Sequence, residues 1–212
     1  MEAYIVTLTP DKEIYTKISQ AKDYILKKFG SQKYIEDQPH ATLYLALTSD
    51  IGKVEDILNK MAKKTKIIEA QIQEKFQEFV NDEVAGGGTT IGLKFNEDAN
   101  KSIQKLQDSI VNLLNHLRDE MVHERFRNVD FPRNMAESIK DHGYPFVHGT
   151  DKEPLLIPHI TFCTFNPSKN ADLFKKENPI ENFAGPITFD KISLYKLNKK
   201  DKIELIRHFE LQ

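Results

Sequence analysis

The chain reads as an α+β protein of two pseudo-symmetric lobes, each an antiparallel sheet with helices on its outer face, with a cleft between the lobes. Three observations point there. The pentapeptide Pro39-His40-Ala41-Thr42-Leu43 returns as Pro158-His159-Ile160-Thr161-Phe162, which is 159 − 40 = 119 residues later. Around each copy the same order recurs: strand, helix, motif strand, helix, strand. Residues 118–157 alone stand outside that order, as a single excursion. The expected organisation is one bilobal domain over residues 1–212.

The elements follow in order. Ala3 to Leu8 alternates like a strand, and Thr9-Pro10-Asp11-Lys12 opens a helix in which Thr9 is the expected N-cap and Pro10 suits the first helical position. Ile14, Ile18, Ala21 and Ile25 form its apolar stripe, which ends near Phe29-Gly30. The first motif strand ends at Thr48-Ser49-Asp50, where Ser49 or Asp50 should cap a second helix with Val54, Ile57, Leu58 and Met61 inward. Alternating apolar residues between Lys66 and Phe79 give the third strand. Gly86-Gly87-Gly88 lacks the Gly-Lys-Ser/Thr ending of a P-loop, so it reads as a turn into the strand Thr90 to Phe95.

A long helix begins at about Asp98, with Ile103, Leu106, Ile110, Leu113, Leu114, Leu117 and Met121 as a core-facing stripe. After the second motif strand, Asn166-Pro167-Ser168 caps a short helix around Ala171 to Lys175. Ile187 to Leu197 and Ile203 to Leu211, joined by Asn198-Lys199-Lys200-Asp201, close the chain as a hairpin.

The excursion carries Arg118, His123, Arg125, Arg127, Arg133, His142 and His148 together with Phe126, Phe131, Tyr144 and Phe146. Arginine pairs with phosphate and aromatic rings stack on bases, which suits a lid or recognition segment. Asp119, Glu120, Glu124 and Asp130 balance the arginines, which equally suits a solvated helical detour. The spacing of His123, His142 and His148 matches no common zinc pattern, and no metal is expected.

Composition narrows the class. At 39% hydrophobic and 29% charged residues the chain belongs among ordinary globular proteins, and no apolar run approaches the length of a membrane span. The N-terminus does not read as a secretory signal. A single cysteine, Cys163, excludes an intramolecular disulfide and a multi-cysteine metal site, and a reducing cytoplasmic setting is expected. With 30 basic and 32 acidic residues the formal charge is −2, so no basic track for a long nucleic acid is expected. The expected partner is a small nucleotide or an RNA terminus, with no cofactor and no membrane, bound by a monomer.

The motifs carry the chemistry. Strand alternation puts His40 and Thr42 on one face, over buried Ala41 and Leu43, and His159 and Thr161 on one face, over Ile160 and Phe162. Tyr44 and Cys163 fall on the same faces and read as packing residues. A single strand histidine is most often a satisfied, partly buried residue; two copies of one five-residue pattern ask for more. Two imidazoles and two hydroxyls around one space provide an acid, a base and two hydrogen-bond donors, a set that suits a phosphate.

This doubled Pro-His-apolar-Thr-apolar pattern resembles the two-histidine (2H) phosphoesterase superfamily. The resemblance covers both motifs and, more loosely, the order of elements over most of the chain. It implies that His40 and His159 flank a scissile phosphate while Thr42 and Thr161 contact it, and it carries over those four residues alone. The implied activity is hydrolysis, without a metal, of a 2′,3′-cyclic phosphate or a short 2′,5′-linked nucleotide or RNA end. The alternative on the same fold is a nucleotide- or RNA-end-binding module without turnover. Which histidine is the base stays open.

Overall fold

The computed structural model describes residues 2–147, 157–198 and 202–212. His148 and the turn residues Lys199, Lys200 and Asp201 lie outside these. The first half of the described chain runs β1 (Glu2–Pro10), α1 (Lys12–Phe29), β2 (Ala41–Thr48), α2 (Ile51–Ala62) and β3 (Ile68–Val80). The second runs β4 (Thr89–Phe95), α3 (Glu97–Leu114), the excursion with α4 (Glu124–Arg127) and α5 (Arg133–His142), then β5 (His159–Phe165), α6 (Lys169–Glu177), β6 (Gly185–Leu197) and β7 (Ile203–Glu210). Strand, helix, motif strand, helix, strand therefore occurs twice, as the sequence implies.

The strands form one antiparallel sheet, in the order β1-β2-β5-β4-β3-β6-β7, with a further pairing of β1 to β6. Its connectivity differs from two self-contained halves. The third strand of each repeat pairs with the first strand of the other: β3 lies on β4, and β6 lies on β1. Residues 185–189 of β6 also pair with β3, and 191–197 pair with β7 in the closing hairpin. The helices are exchanged as well. α1 packs against β5 of the second repeat, and α3 packs against β2 of the first. Gln107 on α3, fully buried, donates from Nε2 to the Leu43 carbonyl at 2.6 Å and ties the helix to the first motif strand.

Three local expectations change. Pro10 and Thr9 stay in β1, where the Thr9 hydroxyl shares a 2.6 Å hydrogen bond with Ser193. Asp11 is the N-cap of α1 instead, accepting from the amides of Glu13 and Ile14. A second cap behaves as expected: Asp50 accepts from the Lys53 amide at the start of α2. α3 ends at Leu114 rather than continuing to Met121, and Leu113 and Met121 are 45% and 46% exposed. The stripe Ile103, Leu106, Ile110 and Leu114 is buried, because its spacing alone keeps to one side of the helix. The short helix α6 starts two residues before Ala171, and Ser168 makes no side-chain cap bond there.

The glycine run does turn the chain. Gly86, Gly87 and Gly88 all have positive φ, and a Cβ on Gly88 would lie 2.6 Å from the Phe165 carbonyl oxygen.

Candidate active site

The two motif strands are neighbours, joined through one residue pair, Ala41 opposite Ile160. Antiparallel geometry about that pair sets His40 toward Thr161 and Thr42 toward His159, an arrangement with two-fold character. Ala41 and Ile160 are fully buried while His40, Thr42, His159 and Thr161 are half-buried, which is the alternation expected of a strand with one face on a core. All four half-buried residues line one cavity of about 280 Å³. Tyr44 and Cys163, on the same faces further along, are fully buried and do not reach it.

Each histidine is held in the same way. His40 Nδ1 lies 2.7 Å from the carbonyl oxygen of Gln38, and His159 Nδ1 lies 2.7 Å from that of Ile157. A carbonyl can only accept, so each Nδ1 carries the proton and each Nε2 is the nitrogen left for chemistry. Gln38 is itself fixed, because Tyr195 Oη donates to its side-chain oxygen at 3.1 Å. The His159 ring rests against Phe79, with 5.0 Å between ring centres. Gly92 on β4 makes room for it: a Cβ there would lie 2.7 Å from the Ile160 carbonyl oxygen and 3.4 Å from His159 Cδ2.

The electrostatics of the two rings differ. Burial pushes the His40 imidazole down to about 4, and the charges of Lys22, His159 and Arg125 act in the same direction against its hydrogen bond to Gln38. His159 is also lowered, chiefly by burial, but its bond to Ile157 and the Asp82 carboxylate oppose the shift. Both imidazoles therefore favour the neutral form.

Other residues around the cavity are not apparent from the motifs. Lys22 on α1 lines it, as does Asp82, which the glycine turn presents. Asp82 accepts from the Thr90 hydroxyl at 2.5 Å and from the Ala85 amide. The excursion supplies a wall through Arg125, Phe126, Met135, Tyr144 and Phe146. Its described part, residues 118–147, is folded onto the motif strand rather than detached in solvent. Tyr44 Oη donates to the His142 carbonyl at 2.8 Å, and the Tyr44 and Tyr144 rings meet edge to face at 6.0 Å. Among the described residues, no group of three or more His, Cys, Asp or Glu side chains could hold a metal ion. No described helix is long and apolar enough to cross a membrane.

No protein-family model matches the chain, and no curated protein matches it in sequence. Solved structures do match in shape. The protein TT0787 of Thermus thermophilus is 14% identical with a TM-score of 0.55, covering 99% of this chain and 97% of that one. A protein described as a phosphoesterase is 8% identical with a TM-score of 0.53, covering 100% and 99%. Escherichia coli LigT in complex with 3′-AMP is 10% identical with a TM-score of 0.52, covering 100% and 98%, and LigT has also been crystallised with phosphate. At these identities the likeness is one of fold.

Proposed function

We infer that this chain is a two-histidine phosphoesterase, and we propose that it hydrolyses a 2′,3′-cyclic phosphate or a short 2′,5′-linked nucleotide or RNA end. One observation carries the reading: two imidazoles, each with Nδ1 tied to a carbonyl two residues earlier, share one cavity with two threonine hydroxyls. In the proposed reaction, water attacks phosphorus and gives its proton to Nε2 of one neutral imidazole. The bond from phosphorus to the ribose oxygen breaks, and the other imidazole, protonated on Nε2, protonates that oxygen. The products are a ribose hydroxyl and a phosphate monoester. Thr42 and Thr161 donate to the non-bridging oxygens and stabilise charge that grows in the transition state.

The surroundings support a small ligand. The cavity of about 280 Å³ sits near the lower end of ligand-site volumes, and its Phe79, Phe126 and Phe146 walls offer faces for a base. LigT, which shares the fold, is seen with 3′-AMP and with phosphate.

A product assay in EDTA tests the proposal. Wild type should turn over 2′,3′-cyclic nucleotides or 2′,5′-linked oligoadenylate with the chelator present. His40→Ala and His159→Ala should each lose about 10²–10⁴-fold in kcat. Wild type that is inactive on both substrate sets, or a double variant as fast as wild type, would sink the reading.

A further inference from the structure

We propose that Lys22 binds the substrate's phosphate, its ammonium supplying on the cleft floor the positive charge that the two motifs lack. The inference rests on the phosphoesterase reading for the class of ligand, and it adds a residue outside both motifs.

Lys22 lies on the buried face of α1 between Ile18 and Ile25 and is only 6% exposed, a rare state for lysine. Its Nζ donates to the carbonyls of Tyr34 at 2.8 Å and Asp37 at 2.7 Å. Both acceptors are neutral groups, and an ammonium has a third N–H. Lys22 lines the cavity that both histidines line. Those imidazoles favour the neutral form and the threonines carry no charge, so among the described residues Lys22 and Arg125 are the basic groups that line the cavity, beside the carboxyl groups of Asp37 and Asp82.

Tyr34 joins the two. It adopts φ 66°, an uncommon conformation for a residue with a side chain, with its carbonyl on Lys22 and its ring 5.8 Å from the Arg125 guanidinium carbon. Within the protein that charge meets two carbonyl dipoles and the field of the Asp37 carboxylate, which also lines the cavity. A phosphate in the adjoining cavity adds an acceptor for the third N–H and a second negative charge beside the ammonium.

Burial pushes Lys22 down to about 8, offset by Asp37 on the loop and by Cys163 on β5; His40, immediately before β2, also faces it. Its charge is therefore lost as pH rises through about 8. Adenosine 3′-monophosphate keeps a constant charge above about pH 7.5, so it reports that loss, and adenosine is the neutral control. Titration calorimetry with wild type should show affinity for the monophosphate falling between about pH 7.5 and 10, with adenosine unaffected. Lys22→Met should weaken monophosphate binding about tenfold or more at pH 7.5, leave adenosine binding alone, and flatten the pH dependence. Equal loss for both ligands, which a purely structural clamp predicts, would overturn the proposal. So would wild-type affinity that is flat with pH, a result that needs no variant to fold. The readout is binding, so it stands apart from whether the wild type turns over a cyclic phosphate.

Discussion

His40 and His159 meet opposing demands. Burial favours the neutral form of both imidazoles, yet the acid–base catalysis proposed above needs one of them protonated. The alkaline limb of kcat/KM follows the proton on the acid in the free protein, and that proton is held below the ordinary 6.5 whichever histidine has the role. The limb is therefore expected below pH 6.5. In kcat it should move upward, because a bound phosphodiester anion favours the imidazolium. A kcat/KM limb above 6.5 would contradict this. Stability gives an independent reading of the same group. Between pH 6.5 and about 4 an unfolded chain takes up a proton that folded His40 refuses, so stability falls as pH falls through that window. Thermal midpoints of wild type should drop there more steeply than those of His40→Ala. The four motif residues were legible because a strand's period of two places them from local spacing alone. Lys22 had a weaker signal: it stands four residues after Ile18 and three before Ile25, on the apolar side of α1, where a lysine is out of character. Asp82 had none, since only the fold of the glycine turn brings it to the cavity.

Single elements show where local rules met tertiary ones. Thr9-Pro10 has the sequence of a helix start, but pairing with β6 holds both residues in β1 and hands the cap to Asp11, which also accepts from the Thr188 amide. The α3 stripe could be read to Leu114 because the helix is regular that far; beyond it the 3-10 turn at Asn115–Leu117 breaks the period. β4 holds a consequence for the site. Gly92 is the interior glycine of a strand, a position that often marks close approach of another backbone, and here the neighbour is the carbonyl of Ile160, the residue after His159. Gly92→Ala must push β5 away or shift the His159 ring. The strain is about 1–3 kcal/mol by analogy with overpacked cores. Chemical denaturation should register that loss, and kcat should fall by more than the fraction unfolded can explain, because the ring would be displaced as well. Wild-type stability and kcat in the alanine variant would show that β5 has slack at this point.

At the scale of the whole molecule, the duplication was legible and the exchange of strands was not. The repeated order of elements follows from local periodicity. Which strand pairs with which depends on long-range contacts that spacing does not encode. The exchange has a physical cost and a consequence. β1 without β6 keeps only β2 as a neighbour, and β3 without β4 and β6 has no strand partner in the first half of the chain. α1 would likewise lose β5, and α3 would lose β2. Residues 1–87 alone therefore hold a two-stranded remnant, β1 on β2 with α1 against β1, in which β3 has no strand partner and the faces that β5, β6 and α3 cover are bared. The expected result is that residues 1–87 and 88–212, expressed separately, each lack a cooperative thermal transition. Mixed, they should recover one, because every exchanged pairing is intermolecular at that cut and the break falls in the glycine turn rather than in a strand. Circular dichroism melts of each piece and of the mixture decide it. A cooperative transition in residues 1–87 alone would mean that the first repeat can satisfy its own strands, and that the exchange seen in the full chain is a choice between two stable pairings rather than the condition for folding.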